Sequence, residues 1–435
     1  MKKLVNIIGG GLAGSEAALY LADRGYKVNL VEMRPHRMTA AHQTENFAEL
    51  VCSNSLKSTE RRNAHGLLKH ELSLLGSKVL PVAEKFSVPG GKALVVDRDS
   101  FSAGVTLEIS NHPNISIIRK ECQCLDLASA IIASGPLSSE SLLRSLENII
   151  GRGFLHFTDA ISPIVRGDSI NYADCFFASR YQHSGDYLNC PLDSESYYKF
   201  VDDLVNAEVV STEFDQEVFF YGCMPVEEIA RRGRDSLRFS LLKPKGLIDP
   251  RNGKQPFAVC QLRREDIQGN AWNLVGFQTR LKFQEQRRVF STIPGLHQVK
   301  FDRFGQAHRN SYINAPEVLA DRSLKIKNSE LFIAGQLSGV EGYVESLATG
   351  LLAALEKITT DNNQQWNPPP GTTVIGGLLN HLHTAKKDFQ PIAASFGLVS
   401  PLEHKIKSKK LKKDYLAERS LNHLADWIRK SSITG

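Results

Sequence analysis

Apolar and polar positions at the start of the chain alternate in the pattern of a βαβ unit. Residues 4–8 form an apolar run (LVNII) typical of a buried strand, and residues 15–24 have the apolar spacing of a helix. Gly25 ends this helix, and residues 27–32 form a second strand-like run that finishes on an acid, Glu32. The order of strand, helix and strand predicts parallel pairing of the two strands.

The turn between the first strand and the helix carries a dinucleotide-binding motif, G-x-G-x-x-G. Its residues are Gly9, Gly10, Gly11, Leu12, Ala13 and Gly14. The first glycine permits the tight turn, the second lets the backbone approach a pyrophosphate, and the third lets helix and strand pack closely. The helix N-terminus then faces the phosphates, and Glu32 can accept hydrogen bonds from a ribose.

Two later segments favour FAD over NAD as the dinucleotide. Residues 331–336 read as a strand running into a glycine turn at Gly335 and Gln336, followed by a helical stretch at 347–356. Residues 130–136 are similar to the middle strand of two-part flavoproteins. We therefore predict an α/β fold, in which a Rossmann-like FAD-binding domain is built from two parts of the chain and an α+β domain is inserted between them.

The chain divides into four predicted segments. Residues 1–150 form the first part of the FAD-binding domain, 151–310 the inserted substrate or RNA domain, 311–370 the second part, and 371–435 a basic helical C-terminal region. This last region holds a lysine run: Lys405, Lys407, Lys409, Lys410, Lys412 and Lys413. Each lysine can displace a condensed counterion from RNA, which favours a phosphate-contacting arm over a merely solvated helix face.

The composition narrows the class of protein but does not indicate a function. The chain has 435 residues, 42% hydrophobic and 23% charged, which is ordinary for a globular protein of two or three domains. Its net charge of +6 does not separate a nucleic-acid binder from an enzyme. Seven cysteines without a C-x-x-C pair favour a reducing compartment and predict no metal site. We expect a cytoplasmic protein, because no apolar run reaches the roughly 18 residues of a membrane span.

One cysteine stands at a position suited to chemistry. In VFFYGCMPVEEIARRG, Cys223 follows a strand-like run, and Pro225 suits the first turn of a helix. Peptide dipoles at a helix start favour a thiolate, whereas the acids Glu227 and Glu228 oppose it. The alternative is a small buried residue at a strand–helix junction.

Longer strings along nearly the whole chain resemble one enzyme family. They include EMRP (32–35), ELVCSNSLKS (49–58), DAISPIV (159–165), GCMP (222–225), NLVGFQT (273–279) and GYVES (342–346). These strings are similar to those of the folate- and FAD-dependent tRNA (uracil-5-)-methyltransferases, the TrmFO family, which is related to the GidA flavoproteins.

The resemblance implies methylation of C5 of the T-loop uridine of tRNA, at tRNA position 54. It implies 5,10-methylenetetrahydrofolate as carbon donor and FADH2, regenerated by NADH or NADPH, as reductant. Cys52 and Cys223 match the two functional thiols of the family, and Gly342 and Tyr343 join the cofactor site. Tyr343 stacks on the isoalloxazine or the pterin, or is a core aromatic. Neither a membrane nor an obligate protein partner is expected.

Uracil C5 is a poor nucleophile, and the chemistry therefore calls for a thiolate. A sulfur that adds to C6 generates an enolate whose C5 attacks the one-carbon unit, and Cys223 is our candidate for it. A base must later remove the C5 proton, and Cys52 as thiolate, a carboxylate or a water are all open. The role of Cys52, as base or as a thiol protecting the nucleophile, is also open; without the resemblance it would read as an apolar plug.

Other functions remain to be weighed. The same chemistry on an rRNA uridine is one alternative, and a flavin-containing RNA-binding protein without methyltransferase turnover is another. The wobble-uridine GidA proteins share the FAD pieces but are much longer. A plain NAD(P)H oxidase would leave the lysine run without a purpose.

Overall fold

The computed structural model describes residues 3–126, 129–180, 182–210, 224–384 and 389–431, with backbone alone for 182–184. Within these ranges no helix is long and apolar enough to cross a membrane.

The strands in chain order are β1 (Leu4–Ile8), β2 (Lys27–Glu32), β3 (Ser55–Ser58), β4 (Ser87–Val88), β5 (Ala93–Val96), β6 (Ile115–Arg119), β7 (Ala130–Ile132), β8 (Leu155–Ala160), β9 (Ile164–Arg166), β10 (Phe176–Ser179), β11 (Gln182–Leu192), β12 (Ala258–Arg264), β13 (Ala271–Leu274), β14 (Phe301–Arg303), β15 (Ala307–Tyr312) and β16 (Leu331–Ile333).

The helices are α1 (Leu12–Asp23), α2 (Ala64–Leu74), α3 (Val79–Lys85), α4 (Arg98–Asn111), α5 (Glu140–Ile150), α6 (Ser194–Val205), α7 (Val226–Arg231), α8 (Ser236–Phe239), α9 (Phe283–Phe290), α10 (Ala315–Val318), α11 (Tyr343–Asp361), α12 (Val374–His383) and α13 (Lys409–Ser431).

A five-stranded parallel sheet confirms the predicted Rossmann-like fold. Its order is β16-β7-β1-β2-β6, and every pair in it is parallel. Ile7 in the central strand lies opposite Leu30 on one side and Ile131 on the other, and all three are fully buried. The apolar runs β1, β7 and β16 are buried because helices cover both faces of a parallel sheet. The late strand β16 thus returns to the first sheet, as the two-part arrangement predicts.

Both helices that follow the glycine turns begin earlier than their sequence pattern predicts. The first begins at Leu12 rather than at residue 15, and α11 begins at Tyr343 rather than at 347. Each starts directly after a glycine, Gly11 or Gly342, which occupies the N-cap position. Apolar periodicity is not visible over the small residues of a glycine motif, so it places the helix start too late.

The middle of the chain builds a second sheet with its own core. The six strands, in the order β10-β11-β12-β13-β9-β14, pair antiparallel throughout. Trp272, Phe277 and Phe290 are fully buried beneath it, together with residues of α6 and α9. A two-stranded antiparallel ribbon of β8 and β15 lies in the chain between this sheet and the parallel one.

The C-terminal helix packs against α2. Leu416, Leu424 and Trp427 of α13 belong to the same core as the parallel sheet. A three-stranded antiparallel sheet in the order β3-β5-β4 follows the segment that carries Cys52, and β3 also contacts α2.

Candidate functional site

The glycine turn has the close backbone packing that the motif predicts. Gly9 has φ +104, a left-handed value, and a Cβ there would lie 2.5 Å from the carbonyl oxygen of Ala133. A Cβ on Gly14 would lie 1.9 Å from the Gly9 oxygen, whereas one on Gly11 would meet nothing within 4 Å. Gly9 and Gly14 are therefore required by the protein's own packing, and the open space at Gly11 leaves room for a ligand beside the start of α1.

Glu32 lies at the end of β2 in a buried charge network. It accepts hydrogen bonds from Gly10 N at 2.7 Å and from Arg34 N and Nε, each at 3.0 Å. Arg34 also donates to Glu49 at 3.1 Å, and its own side chain is almost fully buried. Burial by itself would raise the pKa of Glu32, but the charge of Arg34 and these hydrogen bonds outweigh it and lower the pKa. Glu32 is therefore an ionised hydrogen-bond acceptor, and it lines a cavity over the glycine turn.

A cavity of about 110 Å³ lies over the glycine turn. Its lining includes most residues of the predicted cofactor site: Gly9, Gly11, Leu12, Ala13, Glu32, Gly335, Gln336 and Tyr343. Residues 133–136, after β7, line the same cavity. A helix start with free backbone N–H groups, an ionised acid at the end of β2 and three glycine-containing strand ends are features that would fit a bound dinucleotide.

A second cavity, of about 270 Å³, adjoins the first. Val51, Gln336 and Tyr343 line both cavities, and Cys52 and Gly342 line the second. The hydroxyl oxygen of Tyr343 accepts hydrogen bonds from Cys52 N at 2.9 Å and Ser53 N at 3.1 Å. Tyr343 thus joins the start of α11 to the Cys52 segment across the boundary of the two cavities, a place that suits a ring-stacking role better than a core role.

Cys52 is held as a neutral thiol in this setting. Its Sγ lies 3.9 Å from the carbonyl oxygen of Ala160. Burial, and next the negative charge of Asp159, raise the pKa of Cys52 to about 12, although Arg98 acts in the opposite direction. A thiol with this pKa is protonated at pH 7, which weighs against a Cys52 thiolate as the base.

Three carboxylates line the second cavity with Cys52: Asp159 on β8, Glu341, and Glu345 on α11. Glu341 Oε2 accepts a hydrogen bond from Gln336 Nε2 at 2.7 Å. Burial, followed by the charge of Asp159, raises the pKa of Glu341 to about 8. The cavity therefore holds a carboxyl group that exchanges its proton near neutral pH.

Arg263 ties the Cys52 segment to the inserted sheet. It is buried on β12, and its Nε donates to Asn54 Oδ1 at 2.8 Å while its Nη2 donates to Ser53 Oγ at 2.8 Å. The same side chain lines the second cavity. One arginine of the inserted region therefore positions the loop that carries Cys52.

Cys223 lies outside the described residues, as does the strand-like run before it, so its distance from Cys52 stays a prediction. The helix expected after it is present as α7, and Pro225 occupies its N-cap position. The arginines near this helix are engaged within the protein: Arg231 pairs with Glu228 at 2.7 Å and Arg234 with Asp202 at 2.6 Å.

The six lysines of the predicted arm are exposed. Two precede α13 and four lie in its first turns: Lys405, Lys407, Lys409, Lys410, Lys412 and Lys413. Arg62, just before α2, forms an ion pair with Asp414, and Lys413 Nζ lies 6.0 Å from the centre of the Phe396 ring. The segment that follows Cys52 therefore contacts the lysine-rich start of α13 through this ion pair.

Sequence reasoning missed the charged residues that complete both cavities. Arg34, Glu49 and Asp159 lie within strings that carry the family resemblance, and Glu341 directly precedes one, but no spacing rule assigned them a role. Their hydrogen bonds and their common cavities join segments distant in the chain, which a linear pattern does not reveal.

Comparison with known proteins agrees with the geometry. The family model described as glucose inhibited division protein A matches residues 4–364. The methylenetetrahydrofolate--tRNA-(uracil-5-)-methyltransferase TrmFO of Carboxydothermus hydrogenoformans is 49% identical over 429 residues, 98% of this chain and 99% of its own. The protein of the same name from Dictyoglomus thermophilum is 49% identical over 434 residues, 99% of each chain. Among solved structures, Aquifex aeolicus GidA in its form II crystal has a TM-score of 0.72 at 15% identity, covering 100% of this chain and 74% of that one, which shows a shared fold.

Proposed function

Because the chain belongs to the TrmFO family of methylenetetrahydrofolate--tRNA-(uracil-5-)-methyltransferases, we propose that it methylates C5 of the T-loop uridine of tRNA. The carbon comes from 5,10-methylenetetrahydrofolate, and NADH or NADPH regenerates the reduced flavin. The observation that carries the proposal is the shared wall of the two cavities, where Tyr343 and Gln336 face both the dinucleotide side and the Cys52 side.

In this proposal the residues of the first cavity bind the cofactor, and those of the second position the loop that carries Cys52. The glycine turn and Glu32 hold FAD, which when reduced supplies the hydride that converts a methylene unit to a methyl group. Tyr343 fixes the backbone at Cys52 and Ser53, and Arg263 fixes the side chains of Ser53 and Asn54, so the loop beside the uridine is rigid. The target uridine must leave its stack to present C5 and C6 face-on.

Cys223 supplies the nucleophile in this proposal. Its thiolate adds to C6, which makes C5 an enolate carbon able to attack the one-carbon unit. The nucleophile leaves again when the C5–C6 double bond is restored. Cys52 lies in the second cavity as a thiol, next to the uridine position but protonated at pH 7.

The direct test is reconstitution with purified components. The protein is expected to show a flavin absorbance spectrum and to form 5-methyluridine in unmodified tRNA when methylenetetrahydrofolate and NADPH are supplied. Cys223→Ala should abolish methylation while retaining FAD, and the exposed-cysteine control Cys124→Ala should behave like wild type.

Each alternative outcome of this test has a distinct meaning. Methylation of an rRNA fragment in place of tRNA would change the substrate, and flavin without any methyl transfer would favour a binding protein or an oxidase. Full activity of Cys223→Ala would end the assignment of the nucleophile.

A further inference from the structure

Several carboxylates in the wall of the second cavity have no role in the proposed reaction. Glu341 is 7% exposed and Glu345 is fully buried, yet both line a cavity of about 270 Å³ together with Cys52 and Asp159. Charged side chains buried at this level are expected to have partners. The partner that each carboxylate has, or lacks, therefore indicates what the cavity receives.

One carboxylate oxygen in the cavity wall has no donor within the described part of the chain. Glu345 Oε1 accepts from Ala394 N at 2.8 Å and lies 3.4 Å from His65 Nε2, but Oε2 is buried without a hydrogen-bond partner. A buried acceptor of this kind destabilises the fold unless a donor reaches it. Glu345 therefore lines the cavity with one oxygen held by the protein and one that no donor of the described residues reaches.

Glu341 is the carboxylate placed for proton exchange. Its Oε2 is held by Gln336 Nε2 at 2.7 Å, and Gln336 also faces the first cavity, so Glu341 lies beside the boundary with the flavin side. Asp159, across the cavity on β8, accepts from Ala160 N at 2.8 Å and from Asn310 Nδ2 at 3.4 Å, which fixes its orientation. Glu341, just before α11, and Asp159, on β8, therefore line the same cavity.

We propose that Glu341 removes the C5 proton of the uridine, with Asp159 as the group that positions and tunes it. This assignment rests on the proposed function, and it replaces Cys52 as the base with a carboxylate of the same cavity.

The step balances without a further reactant. After C5 has bonded to the one-carbon unit, the C5–H bond breaks and the proton passes to a carboxylate oxygen of Glu341. The electron pair of that bond forms a double bond between C5 and the new carbon. The bond between this carbon and the nitrogen that delivered it breaks at the same time, and the nitrogen keeps the electron pair of that bond and is neutralised by a proton from water. Hydride addition to the new carbon and loss of the thiolate from C6 then complete the methyl group.

The charges around Glu341 suit a base of this kind. Burial and the charge of Asp159 raise its pKa to about 8, while Lys57 acts to lower the pKa and Glu345 to raise it. The other charged or titratable groups that line the cavity are Cys52, Arg263 and Tyr343. Because the pKa of Cys52 is about 12, very little of this thiol is ionised at pH 7, and far less of it than of Glu341 is available as a base. A base with a pKa near the working pH combines availability with proton affinity.

The first experiment measures tritium release from tRNA that carries 5-³H-uridine at the target position. Holoenzyme with Glu341→Gln should release tritium about 10²- to 10⁴-fold more slowly than wild type, since this is the usual contribution of a positioned base. Glu341→Asp should recover part of the rate. The exposed control Glu330→Gln should match wild type.

The pH dependence of tritium release separates a base from a structural residue. The base must be ionised to accept a proton, so the wild-type rate should rise with pH and level off above about pH 8. Asp159→Asn removes a negative charge and should move this rise to lower pH while release continues. A rate without any rise near pH 8 in wild type, or an unmoved rise in Asp159→Asn, would contradict the tuning role.

A 5-fluorouridine tRNA isolates the steps before proton removal. Fluorine cannot leave C5 as a proton, so the covalent enzyme–RNA complex should accumulate whether or not the base is present. Glu341→Gln should form this complex as wild type does and retain FAD. Loss of the complex in a variant that retains FAD would show that residue 341 acts earlier, and release of tritium at the wild-type rate would exclude Glu341 as the base.

A spectroscopic measurement keeps the assignment testable if Glu341→Gln does not fold. The infrared difference spectrum of the holoenzyme between pH 6 and pH 9.5 should contain protonated-carboxyl bands. The band of Glu341 is the one that disappears with a midpoint near pH 8 and whose midpoint moves to lower pH in Asp159→Asn, whereas the bands of Glu71 and Glu356, near pH 7, should not move. Absence of the Glu341 band would overturn the proposal. Failure of the proposed function is distinct from this, because wild type itself would then neither form 5-methyluridine nor release tritium.

Discussion

The glycines at the dinucleotide cavity are required for two different reasons. Gly14 has no space for a Cβ because the Gly9 oxygen occupies it, so the protein's own fold requires glycine there. A Cβ on Gly11 would meet nothing within 4 Å, so the fold does not require glycine at this position. We attribute the glycine there to the proposed ligand. The pattern G-x-G-x-x-G shows both glycines alike, and only their surroundings separate the two reasons.

This difference can be measured with a pair of single substitutions. Gly14→Ala should lower the free energy of unfolding of the FAD-free protein by about 3 kcal/mol, because the new methyl group meets backbone that cannot rotate away. Gly11→Ala should cost the same protein about 1 kcal/mol or less, as expected for alanine at an N-cap, but should weaken FAD binding. Urea unfolding without FAD and fluorescence titration with FAD provide the two measurements. Equal losses of stability would contradict the assignment.

Among the elements, helix α2 connects the C-terminal helices to the body through one carboxylate. Glu71 is fully buried on α2 and accepts from Val374 N and Ile375 N at the start of α12, each at 2.8 Å. The hydroxyl of Ser420 on α13 donates to the same carboxylate. Burial nevertheless dominates and raises the pKa of Glu71 to about 7. The folded protein therefore holds a proton on Glu71 at pH values where a solvent-exposed glutamate is ionised.

We therefore predict a pH-dependent stability that Glu71→Gln removes. Between the usual glutamate pKa of about 4.5 and the folded value of about 7, the folded protein holds a proton that the unfolded chain has lost, so stability falls as pH rises through this range. The full loss is on the order of 3 kcal/mol above pH 7. Glu71→Gln, neutral at every pH, should gain this amount relative to wild type between pH 5 and pH 8.

Urea unfolding at the two pH values measures that difference, with Glu418→Gln on the exposed face of α13 as the control. Comparison of variant with wild type cancels other buried acids such as Glu356, whose pKa burial also raises to about 7. A Glu71→Gln difference that does not change with pH would show that the carboxylate is already ionised in the fold.

Elements were predictable where a local pattern determines them. β1, β2 and β16 lie where the apolar runs place them, because buried parallel strands need continuous apolar sequence. The helix starts were wrong by three or four residues, since a helix begins where a glycine caps it and not where apolar spacing begins. The boundaries at 150, 310 and 370 stay predictions.

Over the whole molecule, the exposed lysines at the start of α13 are the surface that we propose to contact RNA phosphates. The exposed lysines at the start of α13 adjoin the segment after Cys52 through the Arg62–Asp414 pair. Each phosphate that a lysine neutralises releases a counterion, so binding should depend on salt in proportion to the number of contacts.

Replacing Lys409, Lys410, Lys412 and Lys413 by glutamine should weaken tRNA binding. The slope of log K against log salt should become shallower by roughly 3, as expected for about four phosphate contacts. The matched control replaces four exposed lysines elsewhere, Lys3, Lys27, Lys85 and Lys327, at the same change of net charge. An unchanged slope in the first variant, or an equal change in both, would remove the arm from the proposal.

The sequence by itself determined the dinucleotide fold and the family, because glycine turns, buried strands and long family strings are local in the chain. The two functional thiols stay a prediction. Only the tertiary structure showed that Tyr343 of α11 holds the Cys52 backbone, that Arg263 of the inserted sheet holds its loop, and that Glu341 and Asp159 share one cavity. These contacts join residues more than a hundred positions apart. Their protonation states depend on burial and neighbouring charge, which exist only once the chain has folded.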